Sequence, residues 1–123
     1  MPHELPKLFS WELYETLSGA SPVRDEIRAV LNDKASLIAL GQLMSRLEYG
    51  RTLPRDTRPL RSGLFEARLT EQGNEYRLYY GHAAGGGALL ALHFHRKGGQ
   101  GAQHRAIARA RLRLAEWYAR DIR

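Results

Sequence analysis

Three consecutive segments, Gly63–Thr70, Glu75–Gly81 and Ala88–His95, read as strands, and the intervals between them hold Gly73-Asn74 and Gly85-Gly86-Gly87. Successive side chains of a strand point to opposite faces of a sheet, and short glycine-bearing turns join strands antiparallel, so these segments predict a meander. The same period of two sorts the side chains. Phe65, Ala67, Leu69, Tyr76, Leu78, Tyr80, Leu90, Leu92 and Phe94 fall on an apolar face for helices to cover. Glu66, Arg68, Glu75, Arg77, Tyr79, His93, His95 and, just beyond the strand, Lys97 fall on the opposite face, which is expected to be free. Cations and imidazoles gathered on one face suit a phosphate-handling surface, although polar alternation is also what any half-exposed antiparallel sheet shows.

The remaining chain divides around this meander. Leu8–Tyr14, rich in aromatics, reads as a first strand. Ser21 is placed to cap a helix that has Pro22 at its first position, carries Val23, Ile27, Val30 and Leu31 on one face, and runs to about Asn32. A second helix sets Leu37, Leu40, Met44 and Leu47 on one stripe, with Ile38 and Leu43 beside it and Gly50 placed to end it. Arg51–Ser62, with Pro54 and Pro59 and no periodicity, reads as a loop. After a joint at Gly98-Gly99-Gln100-Gly101, Ile107, Ala110, Leu114, Trp117 and Tyr118 recur at helical spacing, so a last helix from Gln103 to about Arg120 docks beside the sheet. The fold class is α+β: an N-terminal strand, two helices, a three-stranded antiparallel meander joining strand one in a single sheet, and a basic C-terminal helix.

A chain of 123 residues suits one domain, 1–123. Its longest strongly apolar stretch, Ala88–Leu92, is far short of the roughly 20 residues that cross a bilayer, so no membrane span is expected. Met1–Pro6 has neither the basic start nor the apolar run of a signal peptide. The absence of cysteine rules out disulfides and thiol catalysis and leans toward a cytoplasmic address. The net charge is +6. From Arg96 onward, Arg96, Lys97, Arg105, Arg109, Arg111, Arg113, Arg120 and Arg123 face only Glu116 and Asp121, so the whole excess lies in this tail. Arginine in such a concentration favours polyanions, because a guanidinium offers paired donors to phosphate; a solvated basic helix is the plainer alternative. His93 and His95 share a strand face and His104 follows, but no acidic or cysteine ligand stands near them, so no metal and no other cofactor is expected. Gly85-Gly86-Gly87 lacks the Lys-Ser/Thr ending of a nucleotide-binding loop.

The order strand, two helices, three strands and basic helix resembles the RelE/ParE superfamily of small bacterial toxins, with the closer likeness to its HigB-like, phage-derived branch. The carrying residues are Leu60-Arg61-Ser62-Gly63-Leu64-Phe65-Glu66-Ala67-Arg68 followed by Tyr76-Arg77-Leu78-Tyr79-Tyr80, supported by Gly19–Val23, Leu47–Pro54, Leu89–Lys97 and Ile107–Arg113. Two features depart from that branch. Gly98–Gln103 stands where a Lys-rich run with Thr-Pro is usual, and Ala106 stands where an acidic residue is. The resemblance implies the toxin of a type II toxin–antitoxin system: a ribosome-dependent endoribonuclease that cuts mRNA and is held inactive by a cognate helix-turn-helix antitoxin.

The residues supply a compatible chemistry. RNA is cleaved without a metal when its 2′-hydroxyl attacks the adjacent phosphate, provided that cations stabilise the developing charge and proton-transfer groups serve both oxygens. Arg68 and Arg77, on adjacent strands and one face, are the first choice for clamping that phosphate, with Lys97 beside them. Either His95 or His93 can exchange protons, since imidazole titrates nearest neutrality; each can equally be a polar surface residue or a partner to Glu66. Tyr79 is placed to stack a base or orient a phosphate, or simply to pack on the sheet. Arg61, Arg96, Arg105, Arg109 and Arg113 complete the candidate RNA-binding set with Tyr79 and His93. The competing reading is a non-enzymatic, ParE-like toxin or binding module that acts on DNA gyrase or another protein target. A gyrase binder has no need of a proton-transfer group beside the two arginines.

Overall fold

The computed structural model describes residues 6–121; Met1–Leu5 of the N-terminal reading, and Arg123 of the charge excess, lie outside them. In chain order the elements are β1 (Ser10–Leu13), α1 (Pro22–Val30), α2 (Lys34–Glu48), β2 (Thr57–Arg61), β3 (Leu64–Glu71), β4 (Asn74–His82), β5 (Ala88–Arg96) and α3 (Gln100–Asp121). The strands form one sheet in the order β1-β5-β4-β3-β2, with β1 parallel to β5 and the other pairs antiparallel. The α+β architecture and the meander are thus as the sequence implies. Among the described residues no helix is long and apolar enough to cross a membrane.

The fifth strand is a correction. Thr57–Arg61 pairs with β3 although it contains Pro59, and it does so at the sheet edge, where a missing N–H costs no ladder bond. The register shifts between Pro59 and Arg61, and Arg61, Ser62 and Gly63 turn the chain with positive φ angles of 92°, 53° and 78°. The helices also differ in detail. α1 stops at Val30, where Leu31 N–H caps Ile27 O. In α2, Leu40, Leu43 and Leu47 are buried, whereas Leu37 of the expected stripe and Ile38 beside it are exposed. Asp33 caps α2 by accepting the Ser36 N–H, and beyond its C-terminus Gly50 has φ +64°, where a Cβ would meet Leu8 Cδ1 at 2.7 Å.

Both faces of the sheet are covered. On the apolar face, Trp11 of β1 donates its indole N–H to Met44 O of α2 at 2.9 Å and packs edge-on to Tyr80. On the opposite face, a Cβ on Gly81 would come within 3.0 Å of Leu114 Cδ1, so α3 lies directly over β4. The expectation of a free polar face fails for this reason: α3 docks on it through Ala106, Ala110 and Leu114, which are buried. Leu90 changes faces as well. The β4–β5 register slips between Tyr79 and Tyr80, which pairs Leu90 with Gly81 and turns it toward α3 instead of joining Leu92 and Phe94. α1 closes the end of the sheet that β1 is too short to reach. β1 pairs with β5 only as far as Ala91, and the Phe94 N–H beyond it donates to Glu26 Oε1 of α1 at 3.2 Å.

Candidate functional site

The antiparallel register builds two cross-strand rows on the α3 side of the sheet. Arg68, Arg77 and His95 stand opposite one another on β3, β4 and β5, and Glu66, Tyr79 and His93 form the neighbouring row. The two arginines that the sequence places together are therefore together. They share a counterion. Arg68 Nε and Arg77 Nε each lie 3.1 Å from Glu66 Oε1, and Arg58 Nη2 lies 3.4 Å from Oε2. Glu66 is wholly buried and Arg77 nearly so, while Arg68 and Arg58 keep about a third and a half of their side chains in solvent. Glu75 Oε1, on a side chain that is half exposed, lies 3.8 Å from Arg77 Nη1, and two carboxylates among three guanidiniums still leave an excess of positive charge at this end of the row.

At the other end three rings cluster, with His93 stacked on both Tyr79 and His95 and the Tyr79–His95 pair tilted. Tyr79 and His93 lie 6.2 Å apart, Tyr79 and His95 5.4 Å, and His93 and His95 5.7 Å between centroids. Tyr79 OH and His95 Nε2 are hydrogen-bonded at 3.0 Å. Burial, reinforced by the His93 ring and the Arg77 charge, pulls the His95 pKa down to about 4. Burial, with the Glu66 charge beside it, pushes the Tyr79 hydroxyl up to about 12. Near neutral pH both are uncharged. His93 is engaged elsewhere: its Nδ1 lies 2.9 Å from Glu26 Oε1, and Arg113 Nη1 donates to Glu26 Oε2 and to Leu92 O at 2.8 Å each. Burial alone raises the pKa of Glu26, but hydrogen bonds from His93, Arg113 and the Phe94 N–H outweigh it and hold the carboxyl below the usual range.

Beside His95, between β5 and the first turns of α3, a groove of about 180 Å³ is lined by His93, His95, Ala102, Arg105, Ala106 and Arg109. Arg105 and Arg109 are exposed, with no carboxylate bound to them among the described residues. His95 is the link in one cationic tract: it stands in the row with Arg77 and Arg68, is hydrogen-bonded to Tyr79, and shares the groove with Arg105 and Arg109, whereas Arg68 lines a separate concavity with Arg46 and Arg55. The other expected site residues stand apart from this tract or serve the fold. Lys97 is paired with Glu75 at 3.2 Å, and Arg96 with Asn74 at 2.5 Å. Arg61 sits in the β2–β3 turn, where its carbonyl accepts from Arg111. Arg113 and His93 tie α3 and β5 to α1 through Glu26.

Sequence reasoning gave no role to Arg58 or Glu26, and it offered Glu66 only as a partner to His93 or His95, whereas Glu66 pairs with the arginines and His93 with Glu26. For Glu66 the signal was present, since alternation puts it on the face of Arg68 and Arg77. Glu26 lies far from β5 in the chain, and nothing local marks it. Among the described residues, no cluster of three or more His, Cys, Asp or Glu is arranged to hold a metal ion.

Residues 26–115, which run from α1 into α3 and include every candidate site residue, match a family model described as Phage derived protein Gp49-like (DUF891). No curated protein matches the chain.

Proposed function

We propose, for a chain that belongs to the Gp49-like family of phage-derived, RelE/toxin-like proteins, that it is the toxin of a toxin–antitoxin system and cleaves mRNA on the ribosome in the cytoplasm. The observation that carries this reading is the cross-strand row Arg68–Arg77–His95, which opens onto a groove flanked by Arg105 and Arg109. A phosphodiester laid along this tract meets guanidiniums from two sides. As the RNA 2′-oxygen bonds to phosphorus and gives its proton to water, the bond to the 5′-oxygen breaks and that oxygen takes a proton from water; charge builds on the phosphorane oxygens, and preorganised cations stabilise it most where the site is desolvated. Arg77, buried and fixed by Glu66, is suited to the reacting phosphate; Arg68, partly hydrated, is suited to its neighbour. Both His93 and His95 border the groove, and His95 is the one suited to meet the phosphate, since His93 Nδ1 is bound to Glu26.

Arg105 and Arg109 supply the long-range attraction to ribosomal RNA, and a helix-turn-helix antitoxin is the partner that restrains the toxin. Induced expression followed by mapping of mRNA 5′ ends tests this reading. Codon-phased cuts that disappear when ribosomes are absent are the expected result. Arrested growth with intact mRNA would overturn the nuclease and turn the search to a protein target such as gyrase.

A further inference from the structure

Tyr79 is fully buried, and among the described residues its hydroxyl has a single hydrogen-bond partner, His95 Nε2. A neutral imidazole donates at one nitrogen and accepts at the other, so this contact has two possible polarities. If Nε2 carried the proton, the Tyr79 hydroxyl would accept it and leave its own proton buried without a partner, a costly arrangement. If Tyr79 donates, the lone pair of Nε2 is satisfied and the ring proton lies on Nδ1. Nδ1 has no partner among the described residues. His95 Nδ1 is not among the fully buried side-chain nitrogens that lack a partner there, so it is not fully enclosed, and its ring lines the groove.

We propose that Tyr79 is a positioning residue that holds His95 as the neutral tautomer protonated at Nδ1, making His95 a hydrogen-bond donor to a phosphate oxygen in the groove between Arg105 and Arg109. The proposal rests on the reading of this groove as a phosphate site. His95 then contributes to the stabilisation of phosphorane charge and accepts no proton at Nδ1. The surroundings favour the uncharged ring. His95 faces Tyr79 and Arg77 from β4, Glu66 from β3, its own strand neighbour His93, Glu26 from α1, and Arg105 and Arg109 from α3. Burial of the ring does most to keep it uncharged, and the excess of cations over carboxylates in that set acts in the same direction.

Two-bond proton–nitrogen correlation spectra of the full chain, with isotope-labelled histidine, read the tautomer directly, because protonated and unprotonated ring nitrogens resonate far apart. In the wild type at neutral pH, His95 is expected to show a protonated Nδ1 and a bare Nε2, and inorganic phosphate is expected to shift the Nδ1 signal. Tyr79→Phe removes the donor and lets Nε2 compete for the proton. The phosphate affinity of this variant should then fall by the inverse of the fraction of rings still protonated at Nδ1, roughly two-fold for an even mixture, because apparent affinity scales with the competent fraction. A bare Nδ1 in the wild type, or phosphate binding that leaves His95 unmoved, overturns the proposal without need of the variant. These readings are independent of cleavage: a protonated Nδ1 that responds to phosphate in a protein that leaves mRNA intact would sustain the site and reject the nuclease.

Discussion

Replacing Glu66 by Gln keeps the shape of the side chain and removes the charge that three arginines share. The cost can be apportioned from the exposure of each partner. Arg58 and Arg68 are 47% and 35% exposed, so water takes over most of what the carboxylate gave them, and each accounts for about 0–1 kcal/mol. Arg77 is only 7% exposed and its Nε lies 3.1 Å from a carboxylate that is 0% exposed. Breaking such a buried pair costs about 3–5 kcal/mol, and the retained amide oxygen, with half-exposed Glu75 3.8 Å from Arg77 Nη1, puts Glu66→Gln near the lower end, at about 3 kcal/mol. For a chain of this length that corresponds to a fall in Tm of about 12 °C. Urea denaturation of the variant beside Arg58→Ala measures it, with an unchanged m-value showing that the transition stays two-state. Arg58→Ala should lose no more than about 1 kcal/mol. A Glu66→Gln loss below about 1 kcal/mol, or an Arg58→Ala loss equal to it, would refute the assignment of Glu66 as the counterion of a buried Arg77. The double variant Glu66→Leu, Arg77→Met should recover much of the stability, since an apolar pair of similar volume removes both desolvated charges.

Arg68→Ala is expected to abolish growth arrest while the purified protein keeps a Tm within a few degrees of wild type, because the side chain it removes is partly hydrated; a folded, fully toxic variant would detach Arg68 from the site. Reversing Arg105 and Arg109 to Glu should weaken co-sedimentation with ribosomes steeply at low salt and less at higher salt, where the wild type has lost the same counterion-release contribution; sedimentation equal to wild type at every salt concentration would remove RNA docking from α3. The Glu26 carboxyl lies below its ordinary value of 4.5 in the native state, so its contribution to stability is complete above that pH and drains away as the pH falls through the native value. Glu26→Gln should therefore be less stable than wild type at neutral pH and should flatten this part of the acid limb in pH-dependent denaturation, and an unaltered limb would show that Glu26 is not its source.

Much of the fold is legible because alternation and turn chemistry are local. β3, β4 and β5 begin and end within a residue or two of the segments read from period two, and α3 carries the stripe that its spacing implies. β2 was not legible, because an edge strand with Pro59 and exposed arginines has no buried face to impose alternation. Nor was the slip at Tyr79 and Tyr80, which moves Leu90 to the α3 side: Gly81 beside it is the only local mark, and a glycine within a strand equally marks a close approach such as that of Leu114. The largest gap concerns α3. A helix with Ala106, Ala110 and Leu114 on its inner stripe is thin enough to pack on the sheet among polar side chains, and the stripe alone does not say which face it takes. The site followed the same division: the pairing of Arg68, Arg77 and His95 was implicit in the strand order, whereas the tie from Glu26 to His93 and Arg113 joins elements far apart in the chain.

The parallel pairing of β1 with β5 also sets an order of assembly during synthesis. Ser10–Leu13 is made early, yet its strand partners, Ala88–Ala91, are made after all the intervening helices and strands. Until they emerge, Trp11 and Leu13 have no strand beside them, and an unpaired strand edge with apolar side chains is open to pairing with other chains. α3, which roofs the cationic tract, comes later still. A nascent or truncated chain that ends before Gln100 can therefore carry Arg68, Arg77 and His95 on a sheet and still lack the groove wall bearing Arg105 and Arg109. The arrangement delays assembly of the complete groove until α3 itself has been made.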